Sequence, residues 1–246
     1  MPQLPANGLT AMLAPQYLQW LLQGLTVTVA LSAAVTVAAL VLGFGLCLAR
    51  LSPARLLRWP ARAWLSLMRN TPLLVQLFFW YFGALALLPA GLRDWLNQPH
   101  HVHLWLLGLR WPPFEYLAAF VGLALYSAAF FAEEFRAGIR GVPRGQVLAA
   151  AALGLRPAQR WRHVVLPQAV RIALPPLAGQ AMQVVKNSSL AMAIGVAELS
   201  YMARQVESQT FQAFQAFAVA TLLYMAVIAL IELAAAGLGR RRVALA

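Results

Sequence analysis

Charge is distributed along this 246-residue chain in a way that leaves few folds open. The first 49 residues carry no charged side chain, and further charge-free runs occur at Asn70–Leu92, Tyr116–Ala132 and Phe211–Ile231. Arginines gather between them. A helix that spans a bilayer needs about 20 mostly apolar residues, and Leu25–Ala49, Asn70–Leu92 and Phe211–Ile231 meet that length. Tyr116–Ala132 reaches it with its amphipathic ends. A fifth apolar stretch, Ile172–Ala197, is interrupted by Pro175-Pro176 and by Lys186-Asn187-Ser188-Ser189. The first helix is expected to begin near Tyr17, with Gln19 and Gln23 in the interfacial region. Without a positive n-region this first span reads as retained, not as a cleaved signal.

Composition supports the membrane class. Hydrophobic residues make up 61% of the chain and charged residues 11%, against about 25% charged in an ordinary soluble domain. Mean hydropathy is +0.68. The net charge of +12 would suit nucleic acid, but the arginines flank apolar runs, so nucleic acid is not the expected partner. The lone cysteine, Cys47, excludes an internal disulfide and sits in an apolar run as a small buried hydrophobe.

Positive charge faces the cytoplasm. Arg50, Arg55, Arg58, Arg62 and Arg69 follow the first span, seven arginines lie from Arg136 to Arg171, and Arg240, Arg241 and Arg242 follow the last span. The opposite loops hold only Arg93, Arg110 and Arg204. The expected fold is therefore an all-α integral membrane protein of five transmembrane helices. Its N-terminus is outside, its C-terminus is inside, and its long cytoplasmic loop joins helices 3 and 4. Residues 1–24 read as an outer segment with the start of the first helix, 25–236 as the transmembrane domain, and 237–246 as a basic cytoplasmic tail. Pro89, Gly91, Pro99, Pro112 and Pro113 break up the outer loop between spans two and three.

No fuel site or catalytic constellation is evident. The phosphate-binding loop needs Gly-Lys-Ser/Thr, whereas the only lysine, Lys186, follows Val185. Asp94 is the only aspartate. His100, His101 and His103 lie together without a local acid or cysteine, and Pro99 beside them suggests an irregular, solvent-exposed loop; no metal site is expected. Lys186 is a cation in an apolar segment and therefore a functional candidate, with snorkelling or a pair to Glu198 as the bland alternative. Glu133 and Glu134 stand one turn before Arg136 and Arg140, where an intrahelical pair at four-residue spacing competes with a role at a cavity or gate. In Arg69-Asn70-Thr71-Pro72, Thr71 is expected to cap a helix that has Pro72 at its first position, with Gln76 one turn further on.

The long basic loop reads as a mechanical device. Gly145–Leu155 is alanine-rich and helix-prone up to Gly154, which can end a helix in a left-handed turn. A second helical stretch, Ala158–Val165, is expected to close at Leu166-Pro167. A lipid-surface helix would not need the bend between them.

These residues resemble the coupling loop of bacterial ABC-importer permeases. That pattern is a Glu-Ala-Ala start, a glycine soon after and an Ile/Val-x-Leu-Pro end. Ala149-Ala150, Gly154 and Val164-Val165-Leu166-Pro167 match it, and Leu148 stands where the acidic residue is expected. Arg69-Asn70-Thr71-Pro72-Leu73-Leu74-Val75-Gln76, Arg136-Ala137-Gly138-Ile139, Pro143-Arg144-Gly145-Gln146 and Lys186-Asn187-Ser188-Ser189-Leu190 are similar to the polar amino acid branch. The resemblance covers roughly Leu25 to Ala236.

It implies a multi-pass subunit of the bacterial inner membrane, not an enzyme. Two permeases, identical or a related pair, would form the path for a polar amino acid. A cytoplasmic ATPase dimer would dock on the loops and use ATP and magnesium, with no cofactor in this chain. A periplasmic binding protein would deliver the substrate. Gly145, Leu148, Ala149, Ala150, Gly154, Leu166 and Pro167 would meet the ATPase. Asn70, Thr71, Gln76, Lys186, Asn187, Ser188 and Ser189 would line the substrate path. A stand-alone carrier or channel is the alternative, disfavoured by the absence of an internal repeat. A membrane enzyme lacks its acid and histidine cluster, and a purely structural adaptor would not explain the ordered polar motifs.

Overall fold

A backbone surrounded by hydrocarbon must satisfy its own N–H and C=O groups, and helices do so within one segment. The computed structural model describes residues 13–98, 101–104, 107–110 and 112–243, and almost all of these are helical. The order is α1 (Pro15–Leu51), α2 (Arg55–Asn70), α3 (73–87), α4 (Ala90–Asn97), β1 (His101–Leu104), β2 (Leu107–Arg110), α5 (Phe114–Arg140), α6 (Arg144–Ala152), α7 (157–188), a 3₁₀ turn (Ser189–Ile194), α8 (Leu199–Thr210) and α9 (Ala213–Val243). Among the described residues, three helices are long and apolar enough to cross a membrane, at Pro15–Leu51, Phe114–Arg140 and Ala213–Gly237. The first rises about 55 Å at 1.5 Å per residue, more than the hydrocarbon core of about 30 Å.

The chain divides into two compact units. The first comprises Met1–Val35, Pro72–Leu123 and Val185–Val227. Its core joins Leu13 and Leu21 to Leu199, Ala203 and Val206 of α8 and to Ala216 and Ala220 of α9, with Tyr17, Trp20 and Tyr224 packed against them. Gly24 makes the packing close: a Cβ there would meet the Leu199 backbone at 2.9 Å and the Glu198 carbonyl at 3.0 Å. Only glycine lets α1 approach the start of α8 so nearly.

The second unit comprises Thr36–Thr71, Ala124–Val184 and Ile228–Ala246. Cys47, Leu65, Met68, Ala129 and Ala132 form one buried cluster, and Val142, Val165 and Ala169 another. On α2 the residues Ala61, Leu65 and Met68 are buried at helical spacing, while Leu56 and Trp59 stay exposed beside the arginines. An apolar-and-basic face of this kind suits a membrane surface.

Several local expectations are corrected. Thr71 stands at the C-cap of α2 and not at the N-cap of the next helix, and its hydroxyl donates back to the Leu67 carbonyl at 2.8 Å. Pro72 then stands at the N-cap position of the next helix, one place before the expected one. A threonine hydroxyl readily finds the carbonyl one turn behind it, and the extended backbone at Thr71 before a proline follows from sterics. Leu166-Pro167 likewise closes nothing, because α7 continues through it to Ser188. Proline cannot donate to the carbonyl four residues back. The preceding turn, Trp161–Val165, widens to a π-helix and lets the chain continue. A second π turn, Phe79–Gly83, lies within α3.

Between α4 and α5 the expected irregular loop contains an antiparallel hairpin in which His101 pairs with Arg110 and His103 with Gly108. His100 lies outside the described residues.

Candidate functional site

In the second unit, the loop that follows α5 is a bent pair of helices. The Gly154 N–H bonds the Ala151 carbonyl at 3.0 Å and the Leu155 N–H bonds the Ala150 carbonyl at 3.2 Å, with Gly154 at φ +77°. This pair of bonds satisfies the last carbonyls of α6 and reverses the chain. Arg156 opens α7, its N–H held by the Gln159 side chain at 2.9 Å, with Pro157 at the first helical position. The first turns of α7 pack back on α6. Val147 joins Val142, Val165 and Ala169 beneath the loop, and Ala150 faces inward.

What remains outside mixes polar residues, Arg144, Gln146 and Arg156 among them, with two large apolar side chains. Leu148 is 69% exposed and Leu153 80%, and Gly145, Ala149, Gly154 and Pro167 are exposed around them, with Leu166 half-buried. A Cβ on Gly145 or Gly154 would meet nothing within 4 Å. The loop thus brings Gly145, Leu148, Ala149 and Gly154 to one short helix and its turn, whereas Leu166 and Pro167 belong to the long helix after it.

Just before this loop, Glu133 near the end of α5 is the centre of an ionic cluster. Its Oε1 accepts from Arg50 of α1 and, at 3.0 Å, from Arg69 of α2. Its Oε2 accepts from Nε of Arg136 at 2.9 Å, with Nη2 of the same guanidinium in ion-pair contact at 2.9 Å. Arg69 also lies over the Phe130 ring, 5.8 Å from its centroid. Glu134 accepts from Gln180 of α7 at 3.0 Å. The intrahelical pair therefore forms at three-residue spacing, and Glu133 ties three helices of the unit together. Sequence reasoning saw only the local pair; an acidic residue among so many arginines was the one available signal.

In the first unit, the Lys186–Ser189 segment ends α7 and enters the 3₁₀ turn. Lys186 is exposed and forms no ion pair among the described residues. Ser188 is fully buried and donates to the Val185 carbonyl, and Ser189 donates to the Lys186 carbonyl. Asn187 is half-buried. Gln76 is buried on Leu73–Phe78, the part of α3 that packs against the 3₁₀ turn. Asn70 and Thr71 belong to the second unit, with the Asn70 amide on Ser66 at 3.1 Å.

Lys186 and Glu198 do not pair. Glu198 is fully buried and caps α8, accepting from the Tyr201 N–H at 2.8 Å, the Tyr224 hydroxyl at 2.5 Å and the Thr28 hydroxyl at 3.4 Å. Thr28 also accepts from the Leu199 N–H at 3.1 Å, and Ser200 shares a hydrogen bond with Tyr224. The helix so capped, α8, was not expected from the sequence.

Comparison with known proteins places these features in context. The family profile for the binding-protein-dependent transport system inner membrane component matches residues 41–244. The chain is 34% identical over 217 residues to the glutamate/aspartate import permease protein GltJ of Escherichia coli (strain K12), covering 88% of this chain and 85% of that protein. It is 36% identical over 215 residues to the probable amino-acid ABC transporter permease protein YckA of Bacillus subtilis (strain 168), covering 87% and 85%. Among solved structures, a crystal structure of an amino acid ABC transporter with histidines superposes with a TM-score of 0.77 at 27% identity, covering 92% of this chain and 95% of that one. The MetNI methionine ABC transporter in an inward facing conformation shares the fold, with a TM-score of 0.72 at 19% identity over 93% of this chain and 99% of that one.

Proposed function

Because the chain belongs to the family of binding-protein-dependent transport system inner membrane components, a multi-pass membrane transport subunit and not an enzyme, we propose how its residues serve import. The substrate is a polar amino acid, the class carried in the name of the glutamate/aspartate permease that it resembles. The membrane is the bacterial inner membrane, crossed five times, with the N-terminus outside and the arginine-rich loops inside. Transport proceeds by alternating access. Two permeases, two copies of this chain or a sister pair, form the path, and a periplasmic amino-acid-binding protein delivers the substrate.

The observation that carries the coupling assignment is the pair of exposed leucines on α6 and its turn. Leu148 and Leu153 stand out from a short helix whose end is fixed by the Gly154 turn. A bent, internally hydrogen-bonded knob presents those leucines at a defined position, as a rigid docking element must. A cytoplasmic ATPase dimer docks there, with ATP and magnesium bound by that partner. Leu148 makes the contact apolar where the family pattern has an acid. Closure of the ATPase dimer moves α6, and the two states of the partner bias two states of the helices. Along the path, Asn70, Thr71, Gln76, Lys186, Asn187, Ser188 and Ser189 are the polar groups proposed to meet the substrate.

Gly154→Arg and Gly154→Asn test this in proteoliposomes with the ATPase and binding protein. Asparagine tolerates a positive φ and adds little bulk, so uptake is retained. Arginine fills the open space at the docking surface and abolishes ATP-dependent uptake while the protein still inserts. Normal uptake by Gly154→Arg would sink the coupling assignment.

A further inference from the structure

Helix α8 carries two opposite faces. Leu199, Ala203 and Val206 are buried, while Tyr201, Arg204, Gln205 and Ser208 recur at positions i, i+3, i+4 and i+7 on one polar face. That face and the residues Met192 and Ala193 of the 3₁₀ turn line an open groove of about 380 Å³. Small-molecule sites occupy about 300–1,000 Å³, so the groove is large enough for a free amino acid.

Its electrostatics are one-sided. Among the described residues Arg204 is the only charged one lining it, is exposed, and forms no ion pair. The carboxylate at the start of the same helix, Glu198, is buried and already accepts from Tyr201 N–H, Tyr224 and Thr28. It therefore does not neutralise the groove. Lys186, also exposed, precedes the 3₁₀ turn that forms one wall. A guanidinium presents parallel N–H donors that match a carboxylate. Beside it stand a phenol, an amide and a hydroxyl, each able to donate or accept.

We infer that this groove is a carboxylate-recognition site for a small molecule of net negative charge, with Arg204 as its cation and Tyr201, Gln205 and Ser208 as its hydrogen-bonding partners. The inference rests on the importer reading and narrows it: the substrate is an acidic amino acid in preference to its neutral amide. An amide keeps the zwitterion but loses the extra charge that a groove with one cation and no acid rewards. The concave shape suits a free ligand better than an acidic side chain on a partner's convex surface.

The test is equilibrium binding of labelled glutamate to the permease–ATPase complex in nanodiscs without the binding protein. Saturable binding displaced by aspartate but not by glutamine is expected. Arg204→Gln, an exposed change between two good helix formers, should weaken it at least about tenfold, the loss of one charge-assisted contact. Arg204→Lys should fall between, keeping the charge and losing the fork. Equal affinity of the wild type for glutamine, or unchanged glutamate affinity in Arg204→Gln, overturns the proposal. So does a variant that binds glutamate normally but no longer captures the binding protein, for the carboxylate then belongs to that protein. ATP-driven uptake by the wild-type complex is scored separately: its absence refutes the importer reading, whatever the groove binds.

Discussion

Glu133 in the second unit and Glu198 in the first are both removed from bulk water, yet their charges are met in opposite ways. Glu133, about one-fifth exposed, is surrounded by three guanidinium groups. Glu198, fully buried, is met by two hydroxyls and the backbone N–H groups of Ser200 and Tyr201. The first is a junction between helices with surplus positive charge. The second is a helix cap with no formal counter-charge within its hydrogen bonds. Full charges act over distance and respond to salt, whereas neutral donors act only in contact. A carboxylate can therefore organise a helix end either by field or by fit.

The largest expected effect comes from removing the fit. Glu198→Ala leaves the Tyr201 N–H uncapped and the buried Tyr224 hydroxyl without its carboxylate. Loss of a cap and of buried hydrogen bonds costs about 3 kcal/mol together. That lowers Tm by roughly 6–12 °C for a chain of this length, readable by tryptophan fluorescence on heating in detergent. Glu198→Gln, which keeps an acceptor oxygen, should lose clearly less. An equal loss would mean that charge, not shape, matters at this cap.

Breaking the field comes next. Glu133→Gln strands Arg50, Arg69 and Arg136 against one another and should cost about 2 kcal/mol, the cost of breaking a buried pair reduced for partial exposure. The sign of its salt response sharpens the comparison. Screening weakens attraction in the wild type and repulsion in the variant, so 0.5 M salt added to a low-salt buffer should lower Tm in the first and raise it in the second. The same direction in both would remove the ionic account. Tyr224→Phe should have the smallest effect, about 1 kcal/mol for one hydrogen bond, with no change in salt response.

Much of the fold could be read before the structure was seen, because long apolar runs leave a chain few alternatives. The charge-free runs at Leu25–Ala49 and Tyr116–Ala132 lie within α1 and α5, and Phe211–Ile231 falls in α9 from Ala213 onward. The Gly154 turn was legible too, since an alanine-rich helix followed by glycine has a well-defined ending. Helices α2 and α8 were not. Each is short and amphipathic with arginine on its polar face, and Pro60 inside α2 looks like a breaker. Pro167 misled for the related reason that a π turn absorbs its missing donor. Beyond their local bonds, the Glu133 and Glu198 networks join residues 26 to 171 positions apart, and no local pattern encodes such pairs.

Cys47 adds a practical consequence. It is the only thiol in the chain and is fully enclosed by Leu65, Met68, Ala129 and Ala132. A maleimide applied to the folded protein therefore meets almost no background. A single cysteine placed at Ser208 or Leu153 would report directly, by its rate of labelling, on when the groove or the knob is covered during the transport cycle. The native sequence is already a nearly silent frame for such reporters, and Cys47 does not have to be replaced before the movement is timed.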